Sequence, residues 1–259
     1  GRKARAAYFA CVDFLDEMLG DFLATMEHAS LLKNTIIVYT ADHGEMAGEH
    51  GLWWKNTWHE SSSRVPLIIS TPEHRRGERD ASEVLEPVSL ADLFPTLCDL
   101  AGILHPAGLD GTSLASALTT DTLSDNHGKV ITEALTTRWG EGTEFRMIRS
   151  GQYKYIAFRD CEDLAFDLDA DPNELVNIAA DQDRADVIRS LREAVLEGFD
   201  FGDASREIQE TNRSLRDAYP ASFTPTTPNQ ILLGDGRLVE ADSPIYEGEP
   251  LSRDLRKDL

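Results

Sequence analysis

Residues 35–55 read Thr35-Ile36-Ile37-Val38-Tyr39-Thr40-Ala41-Asp42-His43-Gly44-Glu45-Met46-Ala47-Gly48-Glu49-His50-Gly51-Leu52-Trp53-Trp54-Lys55, and their reading decides the fold. The first six residues carry no charge and do not alternate, so they predict a strand buried on both faces, as in a parallel α/β sheet. Asp42-His43-Gly44 comes where the strand ends and a glycine-loosened loop begins. In open α/β sheets, ligands bind beyond the carboxyl ends of strands. Asp42 offers a hard oxygen and His43 an imidazole nitrogen, and both suit a divalent cation. Lys55 places a cation at the far end of a loop rich in Gly, His and Trp. Metal ligands plus a lysine point to a site for a tetrahedral oxyanion such as sulfate or phosphate. An isolated Asp-His-Gly is usually an Asx turn, so the reading depends on the strand before it and on the residues after it.

On the amino-terminal side, Tyr8, Val12, Leu15, Leu19, Phe22 and Met26 recur at helical spacing over residues 5–27, with Phe9 and Phe14 widening the stripe. This predicts a helix packed beside the sheet, one helix-strand repeat of an α/β fold. On the carboxyl side, residues 41–64 show no period. They hold Trp53, Trp54 and Trp58 with His43, His50 and His59. A loop this long in a compact domain is usually functional. Any one tryptophan is expected to cover the core, but their clustering makes Trp54, Trp58 and His59 candidates for a substrate-facing wall beside Lys55. Arg64 is read as holding the loop through carboxylates such as Glu60, ahead of touching substrate.

Residues 65–70 predict a second buried strand, and 71–86 a polar loop in which His74 is solvated. Ser89 and Asp92 form a capping box for a helix that stops at Gly102. A short helix around residues 113–118 and a strand at 129–135 come next. From residue 145 the spacing changes to strands at 145–149, 152–158 and 163–168, with Ser150-Gly151 as a hairpin turn. Residues 174–180 and 184–199 read as helical. Residues 203–259 are acidic and proline-punctuated, and read as an extended tail. In it, Ile231-Leu232-Leu233 and Arg237-Leu238-Val239 flank Gly234-Asp235-Gly236 as a candidate hairpin. The tail is expected to lie on its own surface, to join subunits of a homo-oligomer, or to be disordered. The division expected is 1–141, a main α/β domain; 142–202, a small antiparallel sheet with a helix; and 203–259, the tail.

The 259 residues carry a net charge of −21, which excludes general nucleic-acid binding through a basic surface. No stretch approaches the ~20 apolar residues of a membrane span. Cys11, Cys98 and Cys161 show neither disulfide nor zinc spacing, and Cys11 and Cys98 sit in apolar helical patterns as expected core residues. The chain begins at Gly1 and enters a helical pattern at once, with no leader to read, so compartment stays open.

Taken together, Asp42-His43-Gly44, Gly48-Glu49-His50-Gly51, Trp54-Lys55, Glu60 and Arg64-Val65-Pro66-Leu67 resemble the sulfatase family of the alkaline-phosphatase superfamily. The resemblance continues through Pro87-Val88-Ser89-Leu90-Ala91-Asp92-Leu93-Phe94-Pro95-Thr96-Leu97, Leu100-Ala101-Gly102-Ile103 and Asp110-Gly111-Thr112-Ser113-Leu114. It resumes at Tyr153-Lys154-Tyr155 and Asp171-Pro172-Asn173-Glu174, covering roughly residues 5–180. It implies an α/β fold, the back half of an alkaline-phosphatase-like sandwich with a mainly parallel sheet, plus a small α+β subdomain. It also implies hydrolysis of a small-molecule sulfate ester, with formylglycine as nucleophile and a divalent metal. Asp42 and His43 match the family's second pair of metal ligands, and Lys55 the lysine that contacts sulfate oxygens. Lys55 and His59 are the catalytic candidates; Lys55, His59, Trp54 and Trp58 are the substrate-binding candidates. Many relatives have Asn at the position of His43. The His form also occurs in phosphonate monoester and phosphodiester hydrolases, which leaves calcium or manganese, and the ester type, open.

The family's Cys/Ser-X-Pro-X-Arg nucleophile motif and first Asp pair do not occur in these residues. The expected reading is therefore the carboxyl portion of a sulfatase whose front lies elsewhere, inactive and weakly metal-binding by itself. The alternative is a short non-catalytic binding or assembly module.

Overall fold

The computed structural model describes residues 1–123, 127–136, 139–140 and 142–219, and the backbone of 230–232 and 238–240. Two compact units are present, residues 1–204 and 205–259, and the first carries every candidate site residue.

The first unit begins with α1 (Arg2–His28), a 3₁₀ turn at Leu31–Asn34, and β1 (Ile37–Thr40). A loop with a 3₁₀ turn at Glu49–Gly51 leads to α2 (Glu60–Ser63), β2 (Leu67–Ser70) and α3 (Pro72–Arg75). A 3₁₀ turn at Leu90–Asp92 runs into α4 (Leu93–Ala101), and α5 (Ala117–Thr120) comes after it. Next are β3 (Lys129–Ala134), β4 (Phe145–Ser150), β5 (Tyr153–Phe158), β6 (Leu164–Asp167) and α6 (Ala185–Leu196). Helix α7 (Phe201–Ala218) crosses into the second unit, which also holds the hairpin of β7 (Gln230–Leu232) and β8 (Leu238–Glu240).

β1 and β2 pair antiparallel, with Val38 opposite Ile69. The mainly parallel sheet expected around β1 is not what these strands form: among the described residues every strand pair is antiparallel. The chain between β1 and β2 turns back within the site loop instead of crossing over through a long helix, which is what a parallel neighbour needs.

The four-stranded sheet, in the order β3-β4-β5-β6, matches the closely spaced strands read from the sequence. Ser150 and Tyr153 close its central hairpin. Both of its faces are covered. On one, Ile148, Tyr155, Ala157 and Ala165 pack against Ile188, Leu191 and Val195 of α6. On the other, Phe145, Met147, Ile156, Phe166 and Leu168 pack with Trp58 of the site loop. The Tyr155 hydroxyl is tied to Asp163, and burial pushes its pKa up.

The Ser89–Asp92 box forms as expected and has a wider role. Asp92 accepts from Ser89 N and, through its other oxygen, from Thr112 N, both at 2.8 Å. Thr96 Oγ1 donates to Asp92 O and accepts from Leu114 N at 2.8 Å. A Cβ on Gly111 would lie 2.1 Å from Ala91 O, so glycine is required where the two segments touch. The Pro87–Leu97 and Asp110–Leu114 motifs are thus two halves of one structural clasp.

Four expectations are corrected. Helix α1 forms but buries none of its residues; Phe9, Phe14 and Phe22 are exposed, and so is Cys11, because no described element covers that face. Residues 174–180 are not helical. Asp171 caps Leu175 N and Val176 N, Asn177 accepts from Ala165 N and Ala179 N, and Glu174 sits at φ 54°, so side chains take the backbone bonds a helix would use. Residues 203–218 are helical, not extended. His74 is not simply solvated; its ring closes the capping box with Thr71 at the start of α3.

Asp92→Ala leaves two part-buried N–H groups without their acceptor and is expected to cost about 2–4 kcal/mol in denaturant unfolding. Leu15→Ala, on the open face of α1, is expected to change stability by less than about 0.5 kcal/mol. A large loss for Leu15→Ala with a small one for Asp92→Ala would contradict this account of the core.

Candidate active site

The site grows from the end of β1. Asp42 and His43 leave the strand, and Gly44 lets the chain meet the segment that returns from the loop. Gly44 N donates to Ser62 O at 2.8 Å, and a Cβ on Gly44 would stand 2.1 Å from Ser61 O. Residues 44–62 therefore fold back on themselves, which brings Lys55 to His43. Several anchors hold the loop. Glu45 Oε1 accepts from Ala47 N at 2.9 Å and Trp54 N at 2.6 Å. Arg5 of α1 donates to Ala47 O at 2.8 Å and pairs with Glu49. Trp139 Nε1 donates to Asn56 O at 2.7 Å. Ala47, His50, Trp54 and Asn56 all have positive φ. Each such non-glycine residue costs about 1–3 kcal/mol, a strain that gathers at functional sites.

Lys55 Nζ lies 2.5 Å from His43 Nε2, and His43 Nδ1 lies 2.7 Å from Gly44 O. The ammonium has only donors, so Nε2 accepts, and Nδ1 carries the proton and donates to the carbonyl. Asp42 Oδ2 is 3.4 Å from the same Nε2, and Asp42 Oδ1 accepts from His43 N at 3.0 Å. Asp42, His43 and Lys55 thus converge, lining an open cleft of about 1470 Å³ together with Glu60, Arg64 and Arg149. Burial lowers the Arg149 pKa; Glu60 and Asp169 oppose that shift, and the nearby Arg64 charge reinforces it.

The donors suit a divalent cation in kind: a carboxylate oxygen, and a ring nitrogen whose lone pair is oriented by the Nδ1–H bond on the opposite side. They fall short in number, because no group of three or more His, Cys, Asp or Glu side chains gathers among the described residues. A hard cation such as calcium takes about six to eight ligands.

The other candidates lie elsewhere. His59 is buried, with its ring stacked on His50 at 3.9 Å, and its Nδ1 is 2.7 Å from Thr57 Oγ1. Trp58 packs edge-on against Phe145 and Phe158 in the sheet's core. Trp54 is 68% exposed. None of these three lines the cleft that holds Lys55.

Sequence reasoning missed the role of Lys154, which is 1% exposed. Its ammonium sits 2.9 Å from Glu60 Oε1 and 2.9 Å from Glu174 Oε1, and Glu174 Oε2 accepts from Glu60 N at 2.7 Å. Glu60 therefore pairs with Lys154, not with Arg64. The available signal was a lysine inside Tyr153-Lys154-Tyr155, on a strand whose two faces are both apolar.

The Sulfatase family profile matches residues 2–103. Mouse arylsulfatase K is 36% identical over 189 residues, 70% of this chain and 33% of that protein. A solved structure described as in complex with its substrate D-glucosamine-2-N,6-O-disulfate superposes with a TM-score of 0.62 at 32% identity, covering 74% of this chain and 39% of the other. The phosphonate monoester hydrolase of Agrobacterium radiobacter gives a TM-score of 0.60 at 27% identity, covering 92% of this chain and 45% of the other. The chain spans about a third to two-fifths of the length of the curated relatives it matches.

Burial, then the charges of His50 and Lys154, lower the His59 pKa from 6.5 to about 4. The unfolded chain takes up this proton near its ordinary value and the native state only near 4, so stability is full above pH 6.5 and falls as pH drops towards 4. The loss from this group reaches about 3 kcal/mol, and His59→Gln is expected to flatten that part of the stability-pH curve. An unchanged slope in His59→Gln, measured by denaturant unfolding between pH 7.5 and about 4.5, would place the titration elsewhere.

Proposed function

This chain belongs to the sulfatase family and has its alkaline-phosphatase-like α/β fold, and from that premise we propose that it carries one side of a sulfate-ester hydrolase centre. In this reading Asp42 and His43 face a divalent cation, calcium or else manganese, and Lys55 faces the sulfate. The supporting observation is the 2.5 Å approach of Lys55 Nζ to His43 Nε2 beside the exposed Asp42 carboxylate.

The chain's own groups have definite tasks. With a cation on His43 Nε2, Lys55 would give up that nitrogen and turn its N–H groups to sulfate oxygens, where its charge opposes the negative charge developing in the transition state. The Nδ1–H bond to Gly44 O fixes the His43 ring so that Nε2 stays a lone-pair donor. A bound divalent cation would supply Lewis-acid polarisation of the ester. The nucleophile motif is absent from the 259 residues, so turnover is proposed for a protein in which another segment supplies it. Small-molecule esters are the substrate class in this reading, and no helix among the described residues is long and apolar enough to cross a membrane.

A second reading, a phosphonate monoester hydrolase, is favoured by His43 and by the fold neighbour of that activity.

The test joins this chain to a segment bearing Cys/Ser-X-Pro-X-Arg and compares an aryl sulfate with a phenyl phosphonate, with calcium and with manganese. A sulfate preference, with Lys55→Ala lowering kcat/KM by about 100-fold or more, is the expected result. A phosphonate preference transfers the assignment to the second reading, and no turnover of either overturns both. For the chain by itself, calorimetry is expected to give calcium binding no tighter than about 1 mM, lost in Asp42→Ala.

A further inference from the structure

A second pocket, of about 420 Å³, lies beside the site loop and plays no part in the proposed hydrolysis. Trp58, Trp139 and Phe158 line it with Leu52 and Leu164. Among the described residues no Lys, Arg or His contributes to it, and Glu162 is the one charged residue in its lining. We propose that this pocket binds a small alkylammonium cation, held against the aromatic rings with Glu162 as its counter-charge.

Three observations support the assignment. First, the aromatic walls are fixed before any ligand arrives. Trp58 is set by edge contacts to Phe158 and Phe145 at 5.0 and 5.8 Å, and Trp139 is tethered through its N–H to Asn56 O at 2.7 Å. A tethered indole spends its polar edge on the protein and keeps its π-faces, the part of an aromatic ring that attracts cations, and tryptophan does this best. Second, among the described lining residues the charge is of one sign. The exposed Glu162 makes no ion pair among the described residues, in a chain of net charge −21. Among the described lining residues an anion would meet a carboxylate in an acidic field, whereas a cation gains from both. Third, Trp58 Nε1 is buried without an acceptor, on a ring that forms a wall of the pocket. Buried polar atoms of this kind are few in native proteins, and each calls for an explanation. The atom has no exposed surface, so a small rotation of the ring towards the pocket is needed for a hydroxyl or ether oxygen on the ligand to become its acceptor. The volume suits a small organic ion, being at the low end of ligand pockets.

Thr57 lines both this pocket and the cleft of Asp42, His43 and Lys55. The two are therefore neighbours that share a buried side chain, but they carry opposite requirements: an anion beside Lys55 and a cation beside Glu162. The inference does not rest on the sulfatase reading, since neither a nucleophile nor a metal enters it.

The test is a tryptophan-fluorescence titration of the chain with tetramethylammonium chloride, against sodium chloride at equal ionic strength and against tert-butanol as a neutral molecule of similar size. Saturable quenching with a Kd of about 1 mM is expected, with tert-butanol at least about tenfold weaker. Glu162→Gln and Trp139→Ala should each weaken the cation about fivefold or more, with circular dichroism verifying the fold. Lys55→Ala should leave the affinity unchanged. Equal responses to the cation, the salt and the alcohol would overturn the proposal. So would an affinity untouched by Glu162→Gln and Trp139→Ala, or one lost in Lys55→Ala, which would move binding to the cleft. None of these outcomes bears on sulfate-ester turnover, so the two readings fail separately.

Discussion

The backbones of Gly44 and Ser61 approach closer than any side chain permits, and the site depends on that contact. With a Cβ position 2.1 Å from Ser61 O and a 2.8 Å hydrogen bond from Gly44 N to Ser62 O, the loop closes like a clasp. Closure sets where Lys55 can reach. The loop's length would let a lysine stray far from His43; folding the loop back on its own root makes the distance short. It also forces turns too tight for ordinary dihedrals, which is why Ala47, His50, Trp54 and Asn56 stand at positive φ. That strain persists because Glu45, Arg5 and Trp139 over-determine the loop with backbone-directed hydrogen bonds.

A buried ion network ties this clasp to the antiparallel sheet. Lys154, on the face of β5 that looks towards the loop, holds Glu60 at the start of α2 and Glu174 beyond β6. A lone buried ammonium would be costly; two carboxylates and the Glu60 N–H bond to Glu174 satisfy it. Such networks contribute little net stability, but removing one member strands the rest, so they fix geometry more than they add free energy. Here the fixed geometry is the position of the loop's exit, residues from three separate parts of the sequence meeting at one point.

Local chemistry made part of this legible in advance. The Ser89–Asp92 box, the Gly102 stop and the β4-β5 hairpin arise from residue types acting on their neighbours, and each formed as read; β1 formed too, but half-buried and paired antiparallel. The convergence of Asp42, His43 and Lys55 was legible because the strand end and the lysine bracket one loop. What escaped is non-local. Nothing in residues 174–180 announces that Asp171 and Asn177 will take the backbone bonds of that segment. Trp58 resembles a wall residue in sequence, yet the apolar face of the four-stranded sheet recruits it as core, and His59 is buried against His50 and Trp58. The α1 stripe shows the converse: its periodicity signals burial, and no described element covers it.

Charge placement joins these levels. In a chain of net charge −21, a cleft able to receive an anion requires that its carboxylates be occupied. Glu60 is occupied by Lys154 and Glu133 by Arg146. Glu83 and Glu86 stand exposed, where water and salt screen them. Lys55 then faces the cleft with only His43 and Asp42 engaging its surroundings, and Arg64 makes no hydrogen bond or ion pair through its guanidinium among the described residues. Lys154 thus acts at a distance. By neutralising two carboxylates that would otherwise lie beside the loop, it keeps the positive charge of Lys55 available to a ligand.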